Sequence, residues 1–165
     1  MNQPLEASNK SASRWAVISM IAFAVMFGSF GFAGKISGII YVTAWAAVLS
    51  HLALLPVVAA FPAPPWAKVG GYSWAVFDTI LNIVALNGAP METIMPWRLG
   101  LHVAVAVWPL GAAITNTGIV RWIGILFAAS LAIVPLLGPG APPQAMFIAV
   151  PFIFLWLGVC AWKLR

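Results

Sequence analysis

Residues 72–102 read YSWAVFDTILNIVALNGAPMETIMPWRLGLH and hold two of the chain's three acidic residues, Asp78 and Glu92. The same stretch carries Asn82, Asn87, Arg98 and one of the two histidines, His102. Its flanks are almost wholly apolar. It reads as the end of one membrane-crossing helix, a short non-cytoplasmic loop and the start of the next. Asp78 then lies where a charge costs most, inside the hydrocarbon.

Composition supports a membrane setting. Of 165 residues, 63% are hydrophobic and 7% charged, and the mean hydropathy is +1.02. Soluble domains carry about 25% charged residues. A soluble fold of this size could not hide so much apolar surface, so lipid is the solvent for much of it. The length suits one helical bundle. The net charge of +5 comes from eight basic residues spread along the chain, which form no patch for nucleic acid. Cys160 is the only cysteine, which excludes an intrachain disulfide and vicinal-dithiol chemistry. In an apolar helix it reads as an inert small hydrophobe.

Working outward from the central stretch, six spans are expected, at 15–33, 36–60, 67–88, 95–116, 119–137 and 144–163. Each is near the roughly 20 residues that cross a bilayer core. The expected fold is therefore all-α, a polytopic transmembrane helical bundle: a polar cytoplasmic tail over 1–13, then a single domain over 14–165. Lys10 and Arg14 before the first apolar run resemble a signal peptide. The five apolar segments that follow favour an uncleaved first helix.

The basic residues orient the bundle. With the N-terminus inside, Lys10, Arg14, Lys68, Arg121, Lys163 and Arg165 face inward and only Lys35 and Arg98 face outward. This asymmetry predicts N-in and C-in. Trp15, Trp66, Trp122 and Trp162 then fall at the inner interface and Trp97 at the outer one, where indoles favour the headgroup level. The mid-span tryptophans Trp45, Trp74, Trp108 and Trp156 read as packing residues. Gly28, Gly31, Gly34 and Gly38 offer a small-residue surface between spans one and two, with a GxxxG spacing from Gly34 to Gly38.

An internal echo points to a 3+3 inverted repeat. Pro56 and Pro135 stand 79 residues apart, and the Ala-Pro-Pro runs at Ala63 and Ala141 stand 78 apart. Three spans per half would invert one half relative to the other, an arrangement recurrent in transporters. The plainer account is that prolines punctuate helix ends. Asp78, His51 and His102 have no counterparts in the other half.

At 1.5 Å per residue, Asp78 lies roughly 16 Å from the inner end of span three and His51 roughly 14 Å from the inner end of span two. The two can share one level near the midplane. His102 falls roughly 10 Å below the outer end of span four, level with Asn82 one turn above Asp78. Gly71, Ala75, Asp78, Asn82 and Ala85 share one face of span three, and Ala44, Ala47 and His51 share one face of span two. Asp78, His51, His102 and Asn82 are thus the expected site for a proton or small polar solute. The bland alternative is a polar clamp between helices. Glu92 and Arg98 read as a solvated loop pair or, if functional, as a mouth that attracts or filters ions.

The leading functional expectation is a small transporter or channel in a bacterial cytoplasmic (inner) membrane. Its partners are the lipid bilayer and, in one version, a homo-oligomer or larger membrane complex. A second expectation is a haem- or quinone-binding or anchoring subunit of a membrane redox complex, with His51 and His102 as axial ligands. Here the vertical offset of about 6 Å counts against a shared iron. A third is a membrane-embedded lipid-modifying enzyme. A Ser50-His51-Asp78 hydrolase is disfavoured because adjacent residues point about 100° apart on a helix. No GxSxG, HExxH, P-loop or GxGxxG motif is present, and no cofactor is favoured.

Overall fold

In a computed structural model of the chain, residues 3–32, 35–137 and 147–165 are described, and every regular element among them is helical. The order is α1 (Gln3–Phe30), α2 (Ile39–Leu52), α3 (Leu54–Ala60), α4 (Pro65–Leu86), α5 (Met91–Thr115), α6 (Gly118–Leu137) and α7 (Val150–Lys163). Five helical rods, Ser8–Phe30, Ile39–Ala60, Pro65–Leu86, Glu92–Thr115 and Gly118–Leu137, are long and apolar enough to cross a membrane, as an integral membrane protein requires. The last, Phe147–Lys163, is apolar but shorter.

Local chemistry sets the helix boundaries. Pro65 occupies the first turn of α4, where its missing N–H is not needed and its φ is already helical. Gly88, at φ 89°, turns the chain between α4 and α5, and Gly118, at φ 63°, does so before α6. The rod Ile39–Ala60 is interrupted at Ala53. Pro56 has no N–H to give the carbonyl of Leu52, so the helical ladder cannot run through this turn. Pro135 holds the equivalent place in the sequence echo, yet α6 continues past it to Leu137. The second Ala-Pro-Pro run, at 141–143, lies outside the described residues, as do Gly34 and the first residues of the expected sixth span. The polar segment at the start of the chain is already helical from Gln3 and runs without a break into α1.

The rods close into a ring. α1 packs on α2, α2 on α4, α4 on α5, α5 on α6, α6 on α7, and α7 returns to α1. The half-rod α3 leans inward on α1 and α4. Inside the ring sits an aromatic pile. Trp108 meets Trp156 edge to face at 5.6 Å, Phe61 meets Trp156 at 5.1 Å, and Phe127 links Trp156 to Trp74. Such pairs contribute about 0.5–1.5 kcal/mol each beyond their burial. Trp45, expected to pack, is instead 60% exposed on the outer surface. The Trp15, Trp66, Trp97, Trp122 and Trp162 rings are also exposed.

The glycines that bring helices together are not the expected ones. A Cβ at Gly28 or Gly38 would meet nothing within 4 Å. A Cβ at Gly124 would stand 2.7 Å from the Pro109 carbonyl, and one at Gly71 would stand 2.9 Å from Val58. Close backbone approach therefore falls at the α5–α6 seam and where α4 meets α3 and α5. Near α1, hydroxyls do the joining. Ser29 Oγ and Thr43 Oγ1 lie 2.6 Å apart across α1 and α2. Ser19 donates to the Ser50 carbonyl at 2.9 Å, and Ser13 donates to the Ala161 carbonyl of α7 at 2.7 Å. In lipid, each such bond also removes an unmatched polar group.

Candidate functional site

The polar residues of three helices meet at Asp78. It stands on the face of α4 that begins with the buried Gly71 and Ala75. Small residues there let α2 and α5 come close enough for side chains to reach the carboxylate. His51 Nε2 of α2 lies 3.1 Å from Asp78 Oδ2, and Arg98 Nε of α5 lies 3.2 Å from Oδ1. The Asp78 and Arg98 side chains are 13% and 17% exposed, so this is a pair largely withdrawn from solvent. Among the described residues these are the two ion pairs found.

Asn82, one turn beyond Asp78 and buried, joins the carboxylate to the arginine. Arg98 Nη2 donates to its Oδ1. That contact fixes the amide orientation, because a guanidinium can only donate. Asn82 Nδ2 is then the atom that donates to the Asp78 backbone carbonyl at 2.7 Å and to Oδ2 at 3.2 Å.

His51 is held on every side. Its Nδ1 lies 2.7 Å from the Ala47 carbonyl oxygen, an acceptor, so Nδ1 carries a proton and donates. Phe23 and Trp74 pack edge-on against the ring, each with centroids 5.1 Å away. Ser50 Oγ approaches Nδ1 to 3.3 Å despite its neighbouring position on the helix, because its χ1 folds it back onto its own turn. This corrects the argument from helical angle alone. Ser50 nonetheless gives its proton to the Ala47 carbonyl at 2.8 Å and is fully buried, so it offers no accessible nucleophile.

The tautomer has a chemical consequence. With Nδ1 already protonated, a neutral His51 presents a lone pair at Nε2. A lone pair and an ionised carboxylate oxygen repel. The 3.1 Å contact therefore requires one proton between them, on Nε2 or on Asp78 Oδ2. Both nitrogens of His51 are thereby engaged, Nδ1 by the Ala47 carbonyl and Nε2 by Asp78. Among the described residues, no group of three or more His, Cys, Asp or Glu side chains could hold a metal ion.

Arg98 departs from its expected place beside Glu92. Helix α5 begins at Met91, four residues earlier than the sequence suggests, with Pro90 as its N-cap. Arg98 is thus about 10 Å along the helix and turns inward to Asp78. Glu92 stays exposed in the first turn of α5, where its charge suits the helix N-terminus. The two do not form a mouth. His102 follows Arg98 by one turn on the same face. It is half-buried and within electrostatic reach of Asp78, Arg98 and His51. Its Nδ1 is buried with no hydrogen-bond partner among the described residues.

Ala47 and Ser19 also belong to the site. The Ala47 carbonyl sets the His51 tautomer, and Ser19 secures the Ser50 carbonyl. The only sequence signal for the first is that a helical residue's i−4 carbonyl is always within reach. Compared with protein-family profiles, curated proteins and solved structures, the chain matches none.

Proposed function

We propose that this protein is a small transporter or channel that carries a proton through a six-span bundle, oriented N-in and C-in in a bacterial cytoplasmic membrane. The 3+3 inverted repeat belongs to the same reading and rests on the proline echo of the sequence. Asp78 and His51 form the proton-holding pair, Asn82 and Arg98 set the carboxylate, and His102 stands next along the path. The observation that carries the reading is the His51–Asp78 contact with Nδ1 committed to the Ala47 carbonyl, a geometry that needs one proton. Intramembrane ionisable groups facing a bundle interior mark such relays.

The full engagement of Asp78 by α2, α4 and α5 favours a second reading, a polar clamp that locks three helices together. Proteoliposome proton flux separates the two. Flux lost in Asp78→Asn, measured below the variant's own unfolding midpoint and at unchanged yield of inserted protein, supports the relay. Flux unaltered by Asp78→Asn returns the residue to a clamp.

A further inference from the structure

The charge sum of the cluster reaches beyond the proton. This step rests on the proton-holding reading of Asp78 and His51. With their shared proton, those two residues together carry no net charge, whichever atom holds it. Arg98 keeps its guanidinium charge in any protein setting. No other carboxylate offsets it: Glu92 is exposed in the first turn of α5, and α2 and α3, which pack on α4, contain no acidic residue. His102 can add positive charge but cannot remove it. The joined, protonated cluster therefore carries one net positive charge within the membrane.

Two buried nitrogens border that charge without a hydrogen-bond partner among the described residues, Arg98 Nε and His102 Nδ1. They lie one turn apart on the same face of α5. Arg98 Nε is close to Asp78 Oδ1, but its N–H is not aimed at that oxygen. Arg98 Nε can only donate, and His102 Nδ1 can donate in one tautomer. A single small acceptor carrying one negative charge would satisfy both and cancel the cluster's charge. We propose that the Arg98–His102 edge binds a small monovalent anion together with the shared proton. One proton and one anion then cross as a neutral pair. When the proton leaves, the cluster's net charge falls to zero and the anion loses its attraction to it, so both are released on the same side.

The test uses the full chain in proteoliposomes of neutral lipid, with a pH-sensitive dye inside and the membrane potential clamped at zero by potassium and valinomycin. An inward chloride gradient should acidify the lumen several-fold faster than in protein-free vesicles. Replacing chloride by gluconate should abolish the effect. Proton flux that is indifferent to chloride and follows the potential would overturn the anion site and leave the proton reading standing. No proton flux under any gradient would overturn both. Arg98→Gln should lose the chloride dependence. Because that variant also unpairs Asp78, a binding measurement on the unmodified protein stands beside it. In detergent at constant ionic strength, chloride should raise the unfolding midpoint at acid pH more than gluconate does, and equal midpoints would sink the proposal.

Discussion

Arg98 on α5 dictates which way the side chain of Asn82 on α4 faces. Its Nη2 donates to the amide oxygen, which commits Asn82 Nδ2 to Asp78 Oδ2 at 3.2 Å. A neutral residue thus relays the position of a cation to a carboxylate on its own helix. Asn82→Ala leaves a buried charge-bearing donor and a carboxylate oxygen each short of a partner. A stability loss of about 1–3 kcal/mol is expected. Unfolding in detergent measures it, and an unchanged midpoint would show that Asn82 is not holding the pair.

Asp78 and Arg98 should be strongly coupled. Removing one member of a largely buried pair costs about 3–5 kcal/mol, because the other charge is left behind. Asp78→Asn and Arg98→Gln should each destabilise the bundle, and the double variant should lose much less than the two together. Additive losses in a double-mutant cycle would mean that the 3.2 Å contact contributes little.

The contact between α2 and α4 should respond to pH in one direction. On the shared-proton reading the contact needs a proton on Nε2 or Oδ2, and its removal leaves a lone pair facing a carboxylate, so the contact weakens once that proton is lost. The charged and titratable groups facing the pair are Arg98 and His102 from α5. Spin labels on Leu52 and Phe77, both exposed, should report a wider or broader distance distribution at alkaline pH. In Asp78→Asn, distributions should be insensitive to pH. Identical distributions at acid and alkaline pH in the unmodified protein would contradict the shared proton.

Gly124 tests the packing. A Cβ there would press to 2.7 Å from the Pro109 carbonyl oxygen, and backbone has little freedom to move aside. Gly124→Ala should destabilise by about 1–3 kcal/mol and loosen α5 from α6. Gly28→Ala, with nothing within 4 Å of the new methyl, should be neutral or slightly stabilising, since alanine is the better helix former. Equal effects in thermal unfolding would refute this assignment of the seams.

The greasy runs were readable because a bilayer demands length and hydropathy from each helix separately. Depth counting brings His51 and Asp78 to one level for the same reason: rise per residue is a property of one helix. Arg98 was misplaced because its position depends on where α5 starts. A span counted from residue 95 leaves it at the edge, whereas Pro90 caps a helix that starts at Met91. Trp45 and the glycine seams depend on which way each helix is rotated. In lipid, an apolar residue suits the outside as well as the inside, so hydropathy carries little of that information. The interruption at Ala53 was written in Pro56, but Pro135 in a like context leaves α6 intact. A proline therefore permits a break without requiring one.

The seam between α7 and α1, fastened by Ser13 and the Ala161 carbonyl, joins a late-made helix to the first. As the chain leaves the ribosome, α1 enters the bilayer long before its neighbour on that side exists. Until α7 arrives, the Ser13 hydroxyl lacks its Ala161 partner and the aromatic pile lacks Trp156. The early helices wait as an open arc, and the ring closes only when α7 packs on α1 and α6. Substitutions in that seam should therefore show themselves in the yield of inserted protein before they show in the activity of what has already assembled.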